Sequence, residues 1–196
     1  MDLFWEIHSN LEREGPGDTL NTLKALSMIG HLGKDLKILD LGCGPGKQTI
    51  DLAKNLDGQV IAIDTHTPFI NELTLNAEKQ GLGNKIEAIS ASMTEMPFEY
   101  SSFDLIWGEG SIYNMGFKKG IKEMYKYLKD NGYLAVSEIS WLKDNPPKEV
   151  YDFWNNSYSE MESINENLKD INNSGYEIIG HFTLPEEAWW KYYNPM

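Results

Sequence analysis

The sequence predicts an α/β fold, in which helices cover both faces of a doubly wound, mostly parallel sheet. Short apolar runs of the kind that form buried strands alternate with longer segments of helical periodicity. The first apolar run, residues 37–41, passes directly into Gly42-Cys43-Gly44-Pro45-Gly46 and then into a helix-compatible segment. The second, residues 59–64, ends in an acid, Asp64. A glycine turn after the first strand and an acid after the second are typical of a sheet that binds a ligand at its edge.

The N-terminal part, residues 1–34, is predicted to form a helical cap on this sheet. Apolar residues on one helical face predict a helix over residues 2–13, which Gly15-Pro16-Gly17 ends. Asp18 is a favourable N-cap for a second helix over about residues 19–31.

The core of the sheet is predicted over residues 35–140. Strands are expected over residues 37–41, 59–64, 85–89, 103–107 and 133–137, with helices over 47–55, 67–80 and 117–128. Asp130-Asn131-Gly132 is predicted to be a turn before the fifth strand.

The C-terminal region, residues 141–196, predicts helices over 148–156 and 160–174, a sixth strand over 177–182 and a last helix over 186–193. No repeat or linker divides the chain, so we expect one domain over residues 1–196.

Composition narrows the classes of partner. The chain carries 30 acidic and 17 basic residues, a net charge of −13, which disfavours nucleic acid and suits a small neutral or cationic substrate. No apolar run is long enough to span a bilayer. The single cysteine, Cys43, excludes an intrachain disulfide, and the four histidines lack metal-ligand spacing, so we expect a cytoplasmic protein without a metal or a membrane partner.

Five segments follow predicted strands and should meet at one edge of the sheet, because the carboxyl ends of parallel strands share that edge. They are Gly42–Gly46, Asp64, Ser92-Met93, Glu109 and Glu138. The glycine spacing is G-x-G-x-G rather than the G-x-G-x-x-G of a dinucleotide turn, since Lys47 stands where that third glycine belongs. Asp64 is placed where an acid accepts the two ribose hydroxyls of a bound cofactor. Dinucleotides and other adenosine-containing cofactors both carry this ribose, so Asp64 does not discriminate between them.

The sequence resembles the class I S-adenosylmethionine-dependent methyltransferases, over about residues 36–138. The segments that carry the resemblance are Ile38–Gly46, Val60–Asp64, Ala91–Phe98, Phe103–Trp107 and Leu128–Leu134. Gly15-Pro16-Gly17 together with Glu109–Asn114 also resembles a type 11-like bacterial subgroup.

The resemblance implies a Rossmann-like sheet, the cofactor S-adenosyl-L-methionine and the product S-adenosyl-L-homocysteine. The turn backbone and Asp40 would hold the methionine end, Asp64 the ribose, and Ser92 and Met93 the adenine. The predicted cofactor-binding residues are Asp40, Gly42, Cys43, Gly44, Gly46, Gln48, Asp64, Thr65, Ser92, Met93 and Glu109.

Methyl transfer from a sulfonium is an in-line displacement that depends mainly on alignment, and a base is needed only if the acceptor must lose a proton. Candidate catalytic residues are Glu109, Tyr113 and Glu138. Aromatic faces such as that of Tyr113 suit a cationic amine acceptor. Two alternatives stay open: a nicotinamide-dependent oxidoreductase, and a protein that binds S-adenosylmethionine or S-adenosylhomocysteine without turnover.

The C-terminus departs from the family pattern, because no strand-like run follows residues 177–182 to supply a seventh, antiparallel strand. Three explanations are open. The chain is shortened, the sixth strand pairs directly with the fifth, or a partner chain fills the gap, as in a homodimer that covers an open sheet edge and the aromatic residues of 186–193.

Overall fold

The structure is a computed structural model, and it describes residues 11–196. Most of the helix predicted over residues 2–13 lies outside them. The second predicted helix is confirmed as α1 (Thr19–Met28). Its predicted N-cap is also confirmed, because the Asp18 carboxylate accepts a hydrogen bond from the Asn21 backbone N–H at 2.9 Å.

Within the described residues, five parallel strands form one sheet in the order β3-β2-β1-β4-β5. The strands are β1 (Leu36–Leu41), β2 (Gly58–Asp64), β3 (Ile86–Ser90), β4 (Phe103–Gly108) and β5 (Leu128–Val136). The helices that connect them are α2 (Lys47–Asn55), α3 (Thr67–Lys79) and α4 (Phe117–Tyr127), with a 3₁₀ turn over Ile112–Met115. The predicted α/β sheet is therefore confirmed.

Two apolar layers hold the sheet between its helices. Ile38 of β1 belongs to the layer under α2 and α3, whereas its neighbour Leu39 belongs to the layer under α4. This division follows from the strand geometry, since successive side chains point to opposite faces. Both side chains are fully buried, so β1 is covered on both faces, as expected for a central parallel strand.

The fifth strand begins earlier than predicted. Leu128 already pairs with Phe103, and the pairing register then shifts before Tyr133 pairs with Leu105. Asn131 has a φ of 61° inside this irregular stretch. The predicted turn at residues 130–132 therefore exists as an interruption within β5 rather than as a turn before it.

The prediction of a sixth strand over residues 177–182 is wrong. After α5 (Lys148–Ser157) and α6 (Ile164–Asn173), this stretch is irregular and leads to α7 (Glu186–Tyr193), the last predicted helix. Its residues pack against α1: a Cβ on Gly180 would lie 3.0 Å from Met28 Sδ, and Lys24 Nζ lies 4.1 Å from the centre of the Phe182 ring. The segment packs on α1 instead of pairing with a strand, and the glycine at its centre disfavours strand structure.

The last helix, α7, lies against the segment that precedes α1. The Ala188 carbonyl accepts a hydrogen bond from Gly17 N–H at 3.4 Å, and Lys191 forms an ion pair with Asp18. The two ends of the described chain are thereby joined. Among residues 11–196, none of the helices has the length and apolar character needed to cross a membrane.

Candidate functional site

The site lies where the strand order reverses. β2 and β3 stand on one side of β1, and β4 and β5 stand on the other. Ligands on such sheets bind outside the carboxyl ends of the strands at this point. The turn after β1 and the loop after β4 meet there, since a Cβ on Gly42 would lie 2.6 Å from Ser111 Cβ.

The glycines of the turn have different reasons to lack a side chain. Gly42, Gly44 and Gly46 all have positive φ, of 63°, 54° and 94°. A Cβ on Gly46 would lie 2.2 Å from Leu73 Cδ1, so the third glycine is required by packing against α3. A Cβ on Gly44 would lie 3.3 Å from Glu14 Cγ, within the reach of a flexible side chain. Gly44 itself is buried and lines a small cavity beside Glu14.

Cys43 contributes its main chain to the turn. Its N–H donates to the Ile63 carbonyl at 2.9 Å, and its own carbonyl accepts from Gln48 Nε2 at 3.0 Å. Burial raises the pKa of the Cys43 thiol, and the charges of Asp40 and Asp64 add to the rise. The thiol is therefore protonated at neutral pH and unsuited to act as a nucleophile.

Asp64 ends β2 and is half-buried beside the turn. One carboxylate oxygen accepts from the Gly44 N–H at 3.0 Å, and the other accepts from the His66 N–H at 2.8 Å. An ionised carboxylate has about four acceptor positions, so both oxygens keep capacity for a ligand. The predicted contact with ribose hydroxyls stays a prediction.

The segment after β3 borders the same crevice. Met93 is half-buried, and its Cε lies 3.3 Å from the position of a Cβ on Gly42. The Ser92 hydroxyl lies 2.8 Å from the Thr94 hydroxyl and accepts from the Thr94 N–H at 3.2 Å. The Ser92 hydroxyl is therefore engaged in a local turn. Thr65, another predicted cofactor-binding residue, is exposed just after the end of β2.

Asp40 lies beneath the turn and is fully buried. One carboxylate oxygen accepts from the Thr49 hydroxyl of α2 at 2.5 Å, and the other has no hydrogen-bond donor among the described residues. Burial raises the pKa of Asp40 to about 7, the charge of Glu109 adds to the rise, and the bond from Thr49 opposes it. Asp40 ties α2 to β1 from below, and its predicted role at the cofactor's amino group stays a prediction.

Glu109 is surrounded by donors. Its Oε1 accepts from Trp107 Nε1 at 2.8 Å and from the Thr22 hydroxyl of α1 at 2.7 Å. Its Oε2 forms an ion pair with Arg13. A carboxylate fixed by three donors is better placed to bind a cation than to remove a proton.

Arg13 is a site residue that sequence reasoning missed. Its side chain is only 11% exposed, and it lines a small cavity of about 30 Å³. The other residues around this cavity are Glu14, Gly15, Gly42, Cys43, Gly44, Gln48, Glu109 and Gly110. One signal could have found Arg13: it is the only arginine among the 17 basic residues of the chain.

Glu138 and Tyr113 form a second group with Tyr158. Both carboxylate oxygens of Glu138 are enclosed without a hydrogen-bond donor among residues 11–196. Burial raises the pKa of Glu138 to about 7, and the charge of Glu160 adds to the rise. The Tyr158 hydroxyl is close enough to lower this pKa in part but does not reach hydrogen-bonding geometry. Tyr158 packs edge-on against Tyr113, with ring centres 5.9 Å apart.

The structure thus places the predicted residues in two groups. Asp64, Met93 and Glu109 lie around the glycine turn, and Asp40 is buried beneath it. Glu138 and Tyr113 form the other group, which they share with Tyr158. No sequence signal marks Tyr158, which follows α5 in an irregular segment.

The chain matches a family model described as "Methyltransferase domain" over residues 32–196. Sterol 24-C-methyltransferase erg-4 of Neurospora crassa is 29% identical over 163 residues, covering 78% of this chain and 42% of that protein. The chain thus spans less than half the length of the curated relatives it first matches.

Two solved structures show the same fold. A SAM-dependent methyltransferase from Geobacter sulfurreducens in complex with S-adenosyl-L-homocysteine has a TM-score of 0.86 at 20% identity, covering 100% of this chain and 78% of that one. The [4+2]-cyclase SpnF has a TM-score of 0.67 at 21% identity, covering 85% and 62%. The predicted fold class is confirmed by the first of these likenesses. Because the family model covers the whole described sheet and every described helix after α1, the chain belongs to the methyltransferase-domain family.

Proposed function

We propose that this chain is an S-adenosylmethionine-dependent methyltransferase that transfers a methyl group to a small-molecule acceptor. The observation that carries the proposal is the hydrogen bond from Gly44 N–H to Asp64, which joins the glycine turn to an acid at the point where the strand order reverses. The chain acts as one domain, in which residues 35–140 hold the cofactor. Residues 141–196 border the acceptor, and the assignment of residues 1–34 as a helical cap stays a prediction.

The charges around the turn fit this cofactor. Asp40, Asp64 and Glu109 are all acidic, and they suit a sulfonium and an ammonium group. Asp64 does not discriminate between the two classes of cofactor, but the negative charge of Glu109 beside the turn disfavours the pyrophosphate of a nicotinamide dinucleotide. The family match also favours the methyltransferase over the oxidoreductase alternative.

Each part of the crevice has a role towards the cofactor. Asp64 accepts the ribose hydroxyls, with Thr65 beside it, and Met93 packs on the adenine next to Ser92. The backbone of Gly42–Gly46, with Gln48 and Glu109 beyond it, holds the methionine end. When bound, S-adenosylmethionine supplies an activated methyl group, and the chain supplies alignment.

The acceptor lies on the side of Glu138. We assign Glu138 as the general base, because its carboxylate is enclosed and, within residues 11–196, has neither a hydrogen-bond donor nor a basic partner that would fix its charge. Its Oε atom would take the proton from an O–H, N–H or acidic C–H acceptor. Tyr113 and Tyr158 border that acceptor with their rings. An acceptor that is neutral or cationic fits the negative charge of the chain.

Two kinds of macromolecular partner are considered, nucleic acid and a second copy of this chain. The net charge of −13 disfavours nucleic acid. A homodimer stays a prediction: among the described residues no strand pairs with the outer edge of β5, and Trp190 and Tyr193 on α7 are 55% and 46% exposed. Sedimentation at several protein concentrations tests it. The cytoplasmic location also stays a prediction.

The test begins with binding and ends with product. Calorimetry should show binding of S-adenosylhomocysteine and none of NAD or NADP, and mass spectrometry should then detect a 14-dalton gain on one member of a panel of amine, phenol, thiol and carbon acids. Binding of a nicotinamide nucleotide in preference to S-adenosylhomocysteine would overturn the proposal. Tight binding without a methylated product on any acceptor would favour the non-catalytic alternative.

A further inference from the structure

The only arginine of the chain is placed at the cofactor crevice. Arg13 lies on the segment before α1, and its guanidinium reaches Glu109, which follows β4, 96 residues later in the sequence. All other basic residues are lysines. Arginine and lysine are not equivalent, because the planar guanidinium presents several donors in a fork that matches a carboxylate. The guanidinium of Arg13 is therefore suited to pair with carboxylates, of which Glu109 is one.

Two nitrogen atoms of the Arg13 guanidinium have no hydrogen-bond acceptor among the described residues. Nη2 is used by Glu109, whereas Nε and Nη1 are buried with no hydrogen-bond acceptor among residues 11–196. Buried donors without acceptors are rare, because desolvation of the N–H groups is then uncompensated. A ligand that brings an acceptor into the adjoining cavity removes that cost.

The position of the guanidinium is fixed by its partner. Glu109 is held through Oε1 by Trp107 of β4 and Thr22 of α1, so its Oε2 presents a fixed acceptor to Arg13. Arg13 is therefore oriented before any ligand arrives, and little side-chain freedom remains to be lost on binding.

The charges in the cavity match a zwitterion. Among the described residues, Arg13 is the one cation that lines the cavity, and it is paired with Glu109. Asp40 lies beneath the turn, with one oxygen that has no donor in that part of the chain. An α-amino acid group carries an ammonium and a carboxylate a few bonds apart. The acids suit the ammonium, but they would repel the carboxylate unless a cation stood between them.

We propose that Arg13 is a cofactor-positioning residue, whose free N–H groups bind the carboxylate of the amino acid moiety while Glu109 faces its ammonium. This inference rests on the proposed function. It adds a residue that fixes the methionine end of the cofactor, and with it the direction in which the methyl group points. The alternative interpretation is that the ion pair between Arg13 and Glu109 only fastens residues 11–17 to the sheet.

A pair of ligands separates the two readings. S-adenosylhomocysteine carries the carboxylate, and its decarboxylated analogue, S-adenosyl-3-thiopropylamine, lacks only that group. For the wild-type chain, calorimetry should show that removal of the carboxylate weakens binding about tenfold or more, as expected for charge-assisted hydrogen bonds. For Arg13→Met, affinity for S-adenosylhomocysteine should fall by a similar factor, and the two ligands should then bind within about twofold of each other. Arg13→Lys should restore part of the preference, since a point charge remains.

The matched control is Lys47→Met. Lys47 is also a cation beside the turn, but its side chain is 34% exposed and pairs with Glu12 at 3.4 Å. This variant should keep the wild-type preference for the carboxylate. Melting curves without ligand report whether each variant folds, and the comparison of the two ligands on the wild-type chain needs no variant at all.

The outcomes are distinct. An equal loss of affinity for both ligands in Arg13→Met, with the preference retained, would overturn the positioning role and leave only the fastening role. A wild-type chain that does not discriminate between the two ligands would overturn it as well. A wild-type chain that binds neither ligand would instead overturn the proposed function.

Discussion

The Asp64 carboxylate accepts a hydrogen bond from the Gly44 backbone N–H at 3.0 Å, so the end of β2 is joined to the turn that follows β1. The bond brings the predicted ribose acceptor and the backbone of the turn to one place. It also means that Asp64 shapes the turn as well as facing the crevice. Loss of its carboxylate should therefore affect the ligand more than the fold, because the turn keeps its other main-chain bonds.

Asp64→Ala is expected to weaken binding of S-adenosylhomocysteine about tenfold or more, since a hydrogen bond to a charged group contributes about 1.5–3 kcal/mol. Isothermal titration calorimetry measures the change. The control is Asp57→Ala, which removes an exposed carboxylate before β2 and should leave the affinity unchanged. An Asp64→Ala chain that folds and binds as tightly as the wild type would refute the ribose assignment.

Gly46→Ala is expected to destabilise the fold, because its Cβ would lie 2.2 Å from Leu73 Cδ1 at a residue with φ of 94°. Gly81→Ala is the matched control, since Gly81 also has positive φ, 71°, but a Cβ there meets nothing within 4 Å. Backbone strain should cost each variant about 1–2 kcal/mol of unfolding free energy, and overpacking should cost Gly46→Ala about 1–3 kcal/mol more. Urea unfolding measures both. Equal losses in the two variants would show that α3 yields to the new methyl group.

The parts of the fold that could be predicted are those set by local pattern. Apolar runs bounded by turns located the five strands, because a strand buried on both faces needs continuous apolar sequence. Residues 177–182 have a similar composition, yet they pack against Met28 of α1. A strand forms only where a neighbour offers its edge, and the sequence of one segment does not say which surface it will meet.

The candidate site divides in the same way. Asp64 and Glu138 could be predicted as site residues because Asp64 ends β2 and Glu138 lies two residues after β5, and strand ends share one edge of the sheet. Arg13 and Tyr158 reach their partners from distant, irregular segments, and no periodicity marks them. The ion pair between Glu109 and Arg13 could not be predicted for the same reason, because the two residues are 96 positions apart in the sequence.

Asp40→Asn is expected to stabilise the chain relative to the wild type as the pH rises. The pKa of Asp40 is about 7 in the fold against 3.8 for the free side chain, so the folded state holds the proton more tightly between these values. The stability that this proton contributes is present below about pH 4 and is lost as the pH rises to about 7. Urea unfolding of both chains between pH 4 and pH 8 should show the wild type losing stability relative to Asp40→Asn.

The control for that comparison is Asp57→Asn, which removes an exposed carboxylate instead of a buried one. If the wild type and Asp40→Asn kept a constant difference across the range, the buried carboxyl would not titrate near neutrality. In that case an unseen partner would have to satisfy its second oxygen.

Glu138→Gln is expected to lower kcat about 10²–10⁴-fold on an acceptor that must lose a proton, as is usual when a general base is removed. Because the pKa of Glu138 is raised to about 7 and a base acts when deprotonated, wild-type kcat/KM should rise with pH up to about 7 and then level off. Glu160→Gln should move this rise to lower pH, since the charge of Glu160 is one cause of the raised pKa. Glu149→Gln, at an exposed glutamate of α5, should leave rate and profile unchanged. If Glu138→Gln kept the wild-type rate, the acceptor would react without losing a proton to the protein, and alignment alone would account for methyl transfer.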